Sequence, residues 1–204
     1  MEIHYTTDGS EPTATSPLYE KIVLVKEALT LKSATFTHGR QMGKTLILPV
    51  RWNLATAKLV LTTNPTEKLL TNGIRGSLKY SDFEWCSWTD NDSVSFTIDL
   101  LKPEVLNTLT LGCITNNGMA IHKPASVRVE VSDDNSKFRE AAMQSFTPKE
   151  IFREGNFIEN LSLKLGGIQG RYVRVTAKGP GVCPASHVRP GQTSRIFFDE
   201  VMLE

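Results

Sequence analysis

The chain has 204 residues, of which 40% are hydrophobic, 22% charged and 8% aromatic, as in an ordinary globular protein. Its 23 Lys and Arg against 22 Asp and Glu leave a formal charge of +1, which excludes the basic surface of a dedicated nucleic-acid binder. No apolar run of about 18 residues occurs, so the sequence predicts no transmembrane segment.

The chain opens on a strand that runs into a turn, within the string IHYTTDGSEPT. Asp8 can accept a hydrogen bond from the backbone ahead of it, Gly9 suits a positive φ, and Pro12 ends the hydrogen-bonding run. This first part holds only about 50 residues, which is marginal for an independent folding unit. We therefore expect its first strand to lie upstream of Met1 in a longer protein.

Beyond a predicted domain boundary near Trp52, apolar and polar residues alternate with a period of two. This pattern is typical of antiparallel sheets with one buried and one solvated face, and it favours one or two β-sandwiches. Helical periodicity is weak, and only residues 148–153 suggest a short turn of helix. The predicted strands cover Val94–Leu101, Leu106–Ile114, Ser126–Ser132, Leu161–Leu165 and Val173–Val175.

The three cysteines are Cys86, Cys113 and Cys183, and none forms a CxxC pair. Their spacing therefore argues against a structural zinc site. The odd number leaves at least one free thiol, and we expect small buried side chains. Whether two of them form a disulfide stays open.

Two parts of the chain resemble known families. Tyr5–Thr13, which reads YTTDGSEPT, is followed by Ser16–Tyr19, which reads SPLY. These strings resemble the short immunoglobulin-like module that follows the catalytic barrel of bacterial chitobiases and β-N-acetylhexosaminidases. Leu29–Phe36 resembles that module's next long strand. The resemblance implies a partial module over residues 1–52 that lacks the family's first strand.

Residues 53–204 resemble the discoidin, or coagulation-factor type C, domain. This resemblance implies an all-β fold, with an eight-stranded jelly-roll sandwich of the galactose-binding-like type. Gly73–Ser77 and Gly181–Pro184 look like the subgroup found at the C-terminus of family-twenty β-hexosaminidases. The strings that carry the wider resemblance are Leu69–Gly73, Val94–Leu100, Pro124–Ser132, Gly170–Val175 and Ile196–Val201.

The same resemblance implies a structural Ca²⁺ site. Its ligands would be the Leu69 and Ile74 carbonyls and the side chains of Asn72, Ser77 and Glu200, an all-oxygen set that suits a hard cation. Asn72 stands where the family usually has Asp, which lowers the ligand charge. The alternative is a metal-free loop held by hydrogen bonds, with Glu200 paired to Arg75.

A carbohydrate site in this family lies on loops at one end of the sandwich. It needs aromatic faces and convergent polar groups. Core packing is the competing interpretation for both tryptophans, and surface exposure is the competing one for both histidines. The segment after Cys183, Ala185–Pro190, lacks the aromatic residue that the subgroup often carries. The candidate residues are Tyr80, Trp85, Trp88, His122, His187 and Arg189.

The sequence contains no GxSxG, HExxH or Cys/His catalytic pattern. We therefore expect a non-catalytic accessory region of a β-N-acetylhexosaminidase, whose catalytic residues would lie upstream. Its partners would be that catalytic domain and glycans with galactose or N-acetylhexosamine. The expected location is periplasmic, outer-membrane-associated or extracellular in a bacterium. The alternatives are a domain that only packs on the barrel, or one that binds protein or lipid.

Overall fold

The structure is a computed structural model that describes residues 1–21, 23, 25–88 and 93–204. The chain divides into two compact units, Met1–Trp52 and Asn53–Glu204. Among the described residues, no helix has both the length and the apolar character needed to cross a membrane.

The first unit contains a three-stranded antiparallel sheet in the order β1-β2-β3. The predicted turn after β1 is confirmed, since Asp8 accepts a hydrogen bond from the Ser10 backbone (3.0 Å) and Gly9 has a φ of +81°. The predicted long strand is the central one of the sheet. The strands are β1 (Glu2–Thr6), β2 (Leu29–Thr37) and β3 (Arg40–Val50).

The second unit is an antiparallel β-structure in the order β5-β10-β6-β9-β7-β8, with β4 paired to β6. A single α-helical segment, α1, precedes β9 in the part of the chain that the structure describes. The elements are β4 (Leu59–Leu61), β5 (Cys86–Trp88), β6 (Ser93–Asn116), β7 (Ser126–Ser132), β8 (Arg139–Ser145), α1 (Pro148–Ile151), β9 (Asn156–Lys178) and β10 (Ile196–Leu203).

The all-β sandwich prediction is confirmed, but the described strands of this unit number seven and not the eight expected. Val94–Leu101 and Leu106–Ile114 are one continuous strand, β6, which pairs along its length with β9. The pairing register shifts between Asp99 and Glu104, and Leu101 has a φ of +72°. Two long strands thus bend at irregular points, where separate strands joined by turns were expected.

The alternating residues form the core. Val127, Val129 and Val131 of β7 are fully buried, whereas Arg128 between them is exposed. In β9 the residues at alternate positions, Leu161, Leu163 and Leu165, are likewise buried, as a period-two pattern requires. All three cysteines are buried free thiols, which confirms the expectation of small buried side chains.

Candidate functional site

Three connections meet at one end of the sandwich. The 3₁₀ turn Asn117–Met119 follows β6, α1 precedes β9, and the loop 184–191 leads towards β10. A capping box fixes the start of α1, since Thr147 and Glu150 bond each other's backbone N–H groups. The Arg189 guanidinium donates to the carbonyl of Gly118, which ties the third connection to the first.

These connections enclose a cleft of about 370 Å³. This volume falls within the range of small-ligand sites, about 300–1,000 Å³. The lining combines apolar rings with polar and charged side chains. It consists of Asn117, Pro148, Lys149, Phe152, Glu154, Pro184, Ser186, His187 and Val188.

Asn117 carries the least satisfied polar atom of this lining. Asn117 is buried, with 9% exposure, and its Oδ1 has no hydrogen-bond partner among the residues that the structure describes. Its backbone is well held, since the Asn117 N–H donates to the Gly155 carbonyl at 3.0 Å. A buried acceptor without a donor costs about 1–3 kcal/mol. A ligand that brings a hydroxyl or amide donor into the cleft would recover that cost.

Phe152 supplies the apolar wall, and it packs edge-on against two histidine rings. Its ring centroid lies 5.1 Å from that of His122 and 6.1 Å from that of His187. The Nε2 atoms of the two histidines are 3.1 Å apart. Burial and then the adjacent His187 ring lower the pKa of His122 to about 4, so His122 is neutral at physiological pH.

The predicted residues of the later loops come together, although only His187 lines the cleft. His122 lies behind it, fully buried, and Arg189 holds the loop by its side chain and by a backbone N–H that donates to His187 Nδ1 at 3.0 Å. His122 Nδ1 lies near the Ile151 backbone without a well-formed hydrogen bond.

The three predicted aromatic residues of the Tyr80–Trp88 loop pack onto the protein. Trp85 is buried with Ile114 and Phe197, and its Nε1 donates to the Ser77 carbonyl at 3.1 Å. Tyr80 meets Phe197 edge to face at 6.1 Å. Trp85 is therefore a packing residue, which is the alternative that the sequence left open for it, whereas Tyr80 stays half-buried.

Trp88 is half-buried and packs against the core. Its ring stacks on that of Phe96 with centroids 6.2 Å apart and meets Phe198 at 5.6 Å. The packing of these three aromatic rings onto the protein has one physical cause. Large aromatic rings close to apolar strand residues release more free energy by packing than by facing solvent.

The cleft residues that sequence reasoning missed are Asn117, Lys149, Phe152 and Glu154. The predicted helical turn at 148–153 was the available signal, because a turn between two strands of a sandwich has to lie at its end. Nothing in the local pattern shows that Phe152 faces a loop that is distant in sequence.

The loop proposed for Ca²⁺ is closed by its own hydrogen bonds. Asn72 Oδ1 accepts from the Ile74 N–H at 2.8 Å, and its Nδ2 donates to Glu84 at 2.9 Å. Glu200 Oε2 accepts from the Gly73 N–H at 2.9 Å. Two of the expected ligand oxygens thus face amide hydrogens, an arrangement that fits a divalent cation poorly.

Arg75 pairs with Asp199 and not with Glu200, which corrects the metal-free expectation. The Arg75 Nε to Asp199 Oδ2 distance is 2.6 Å, and the Asp199 side chain is fully buried. Asp199 also accepts hydrogen bonds from two backbone N–H groups, those of Gly76 and Glu200. Gly112 leaves room for this pair, since a Cβ atom at that position would clash with both Asp199 and Arg75.

Glu200 is buried without a full set of partners. Its Oε1 and the nearby Asn53 Nδ2 make no well-formed hydrogen bond. Burial, as the largest cause, raises the pKa of Glu200 to about 9. At neutral pH the carboxyl group is therefore protonated in the folded chain without a metal. The Ca²⁺ site stays a prediction of the resemblance.

Each unit contains a match to a known family model. Residues 57–188 match the family model of the F5/8 type C domain. Residues 1–46 match that of the Chitobiase/beta-hexosaminidase C-terminal domain. No curated protein matches the chain.

Solved structures that resemble the chain share little of its sequence. The module CpGH89CBM32-6, produced by Clostridium perfringens, is 18% identical over 75% of this chain and 98% of its own, with a TM-score of 0.48. A Streptococcus pneumoniae fucose binding module, SpX-3, is 19% identical over 75% of this chain and 97% of its own, with a TM-score of 0.45.

The C-terminal domain of a chitobiase from Bacteroides fragilis is 15% identical over 72% of this chain and 89% of its own, with a TM-score of 0.39. The assignment itself rests on the family models, one of which spans well over half of the chain. The chain belongs to the F5/8 type C, or discoidin, domain family, and residues 1–46, before this domain, match the model of the Chitobiase/beta-hexosaminidase C-terminal domain.

Proposed function

We propose that the discoidin domain, residues 53–204, binds a carbohydrate in the cleft beside α1. The observation that carries the proposal is the Asn117 Oδ1 atom, which is buried and unpartnered at the wall of the cleft. A sugar hydroxyl would donate to this oxygen. The apolar C–H face of the same ring would pack on Phe152, as in binding sites that join an apolar surface to a few polar groups.

The charges of the cleft support a neutral ligand. Lys149 and Glu154 both line it and carry opposite charges. Their fields largely offset one another, so neither an anionic nor a cationic ligand gains a net attraction. Neutral glycans with galactose or N-acetylhexosamine, which the family resemblance implies, agree with this balance.

The family match of the first unit bears on the protein to which both domains belong. We infer that these two domains form a non-catalytic accessory region of a secreted β-N-acetylhexosaminidase, acting in the periplasm, at the outer membrane or outside the cell. The match of residues 1–46 to a chitobiase/β-hexosaminidase domain supports that parent. A weak second site would then raise the effective concentration of substrate at the catalytic domain.

A lipid-binding role has one feature in its favour and a stronger one against it. Phe83 is 88% exposed on its loop, as a membrane-inserting side chain would be. Asp82 and Glu84 flank it, however, and anionic membranes repel such carboxylates. We therefore keep the carbohydrate proposal ahead of this alternative.

Calorimetric titration with galactose, N-acetylgalactosamine, N-acetylglucosamine and fucose tests the proposal. We expect weak binding of at least one sugar, and a loss of about tenfold in affinity for Asn117→Ala, the equivalent of one hydrogen bond to a buried acceptor. Phe152→Ala should weaken binding similarly through the lost ring contact. We expect Asn117→Ala to fold normally, because the carboxamide oxygen that it removes has no hydrogen-bond partner among the described residues.

The matched control is Asn107→Ala, at the other end of the straight part of β6. It should leave binding unchanged. No detectable binding of any sugar at millimolar concentration would overturn the proposal and favour a domain with a packing role only.

A further inference from the structure

A cluster of three potential metal ligands reaches from the cleft wall, where His187 lies, into the interior, and the proposed sugar contacts use none of the three. It consists of His122, Cys183 and His187, all buried, with 0%, 3% and 9% exposure. One ligand atom of each lies within 4.8 Å of those of the other two. These residues come from two separate connections, and their sequence spacing matches no zinc motif.

The distances within the cluster approach those of a tetrahedral site. Two nitrogens bound to zinc at about 2.0 Å stand about 3.3 Å apart, and a sulfur bound at about 2.3 Å stands about 3.6 Å from each of them. The Nε2 atoms of His122 and His187 are 3.1 Å apart. The Cys183 thiol lies within 4.8 Å of a nitrogen of each histidine, so it has to move closer to complete three tetrahedral positions.

The hydrogen-bonding partners show what a metal ion would replace. The Arg189 N–H donates to His187 Nδ1, so a neutral His187 carries its proton on Nε2 and donates it to His122 Nε2. The Cys183 Sγ has a single long contact, 3.5 Å to the Ser194 hydroxyl. Both the shared proton and the thiol proton thus occupy positions that a cation could take.

We propose that His122, Cys183 and His187 bind a zinc ion, with the fourth position left to a solvent molecule reached from the cleft. Imidazole and thiolate together suit Zn²⁺ and not the hard cations that prefer oxygen. Binding moves the His187 proton from Nε2 to Nδ1, which ends the hydrogen bond from Arg189. The Cys183 proton is released to solvent, and the thiolate bonds the metal.

The site differs from the carbohydrate site in ligand and in chemistry, although the two share His187 at the cleft wall. Because zinc would end the bond between Arg189 and His187, metal occupancy would also loosen the loop 184–191. The zinc site can be tested without any sugar, so its failure and that of the carbohydrate proposal are distinguishable.

Titration of the chelator-treated full chain with Zn²⁺ and, in parallel, Co²⁺ tests the site. We expect one equivalent of zinc per chain, a higher melting temperature with zinc, and a thiolate-to-cobalt charge-transfer band for the cobalt complex. Cys183→Ser should abolish the band and weaken zinc binding by at least about tenfold. Cys86→Ser, which alters another buried cysteine, should keep both.

His187→Gln provides a second variant at the accessible side of the cluster, in case Cys183→Ser fails to fold. It should also weaken zinc binding, whereas His38→Gln, at an exposed histidine, should not. A wild-type chain that binds no stoichiometric zinc, or whose cobalt complex lacks the thiolate band, would overturn the inference.

Discussion

Buried polar side chains of the discoidin domain fall into two groups, according to whether the protein itself satisfies them. Asp199 is fully buried and is satisfied by the Arg75 guanidinium and two backbone N–H groups. Asn117 Oδ1 is buried and has no partner in the described part of the chain. The first arrangement stabilises the fold, whereas the second is a cost that a ligand can recover.

The Arg75–Asp199 pair gives a prediction about stability. Asp199→Asn leaves the guanidinium of Arg75 beside a neutral group, and we expect a loss of about 3–5 kcal/mol in the free energy of unfolding. The two side chains pack closely against Gly112, since a side chain at that position would clash with both of them. Chemical denaturation measures the change.

The matched control is Asp133→Asn in the exposed pair with Arg139, whose side chains are 63% and 46% exposed. The free energy of unfolding of this variant should fall by less than about 1 kcal/mol, because solvent screens exposed ion pairs. Equal losses for the two variants would contradict the role assigned to burial of Asp199.

The raised pKa of Glu200 leads us to expect that the stability of the protein depends on pH. Its pKa is raised from 4.5 to about 9 in the folded chain. Between these values the folded chain keeps a proton that the unfolded chain has lost, so the free energy of unfolding falls as pH rises. Glu200→Gln cannot ionise, and we expect it to gain stability relative to the wild type from pH 5 to pH 9.

One group changes the free energy of unfolding by at most about 1.4 kcal/mol per pH unit. Denaturation of both proteins at several pH values gives the difference directly. Parallel stability curves for Glu200→Gln and the wild type would show that Glu200 titrates normally in the fold.

At the scale of elements, the alternation of apolar and polar residues is sufficient to predict the bounds of a strand that lies in one layer. β7 coincides with the predicted Ser126–Ser132, because its valines repeat every second residue and all face the core. Alternation does not report where a strand bends. The backbone of β6 continues through Leu101 at positive φ, a conformation with no side-chain pattern to predict it.

The same limit applies to the candidate site. The family resemblance implies that the loops of His122 and His187 lie at one end of the sandwich, and in the structure their Nε2 atoms are 3.1 Å apart. The sequence did not predict Phe152, because its approach to those histidines depends on where α1 is placed by β8 and β9. Contacts between connections that are distant in sequence follow from topology and not from local pattern.

The hydrogen bonds of the Asn72 loop lead to a prediction about calcium binding. Because Asn72 Oδ1 and Glu200 Oε2 already accept backbone hydrogen bonds, we expect no rise in melting temperature when Ca²⁺ is added to dialysed, chelator-treated protein. Asn72→Asp restores the carboxylate usual in the family and should create or strengthen a response to calcium. A clear rise for the wild type would restore the metal site that the resemblance implies.

For the whole molecule, the near-neutral charge agrees with a partner that carries no net charge. The chain has a formal charge of +1, and the cleft places one lysine and one glutamate in its lining. Affinity for a neutral glycan should therefore change little between low and moderate salt, unlike binding to nucleic acid or to anionic lipid.

The central claim is that a glycan binds in the cleft beside α1. Heteronuclear NMR titration of the chain with the tightest-binding sugar tests it most directly, because the backbone amide shifts locate the site. We predict that the largest shifts cluster at Asn117, Phe152 and His187. Shifts centred on the Tyr80–Trp88 loop, or no shifts with any sugar, would contradict the account.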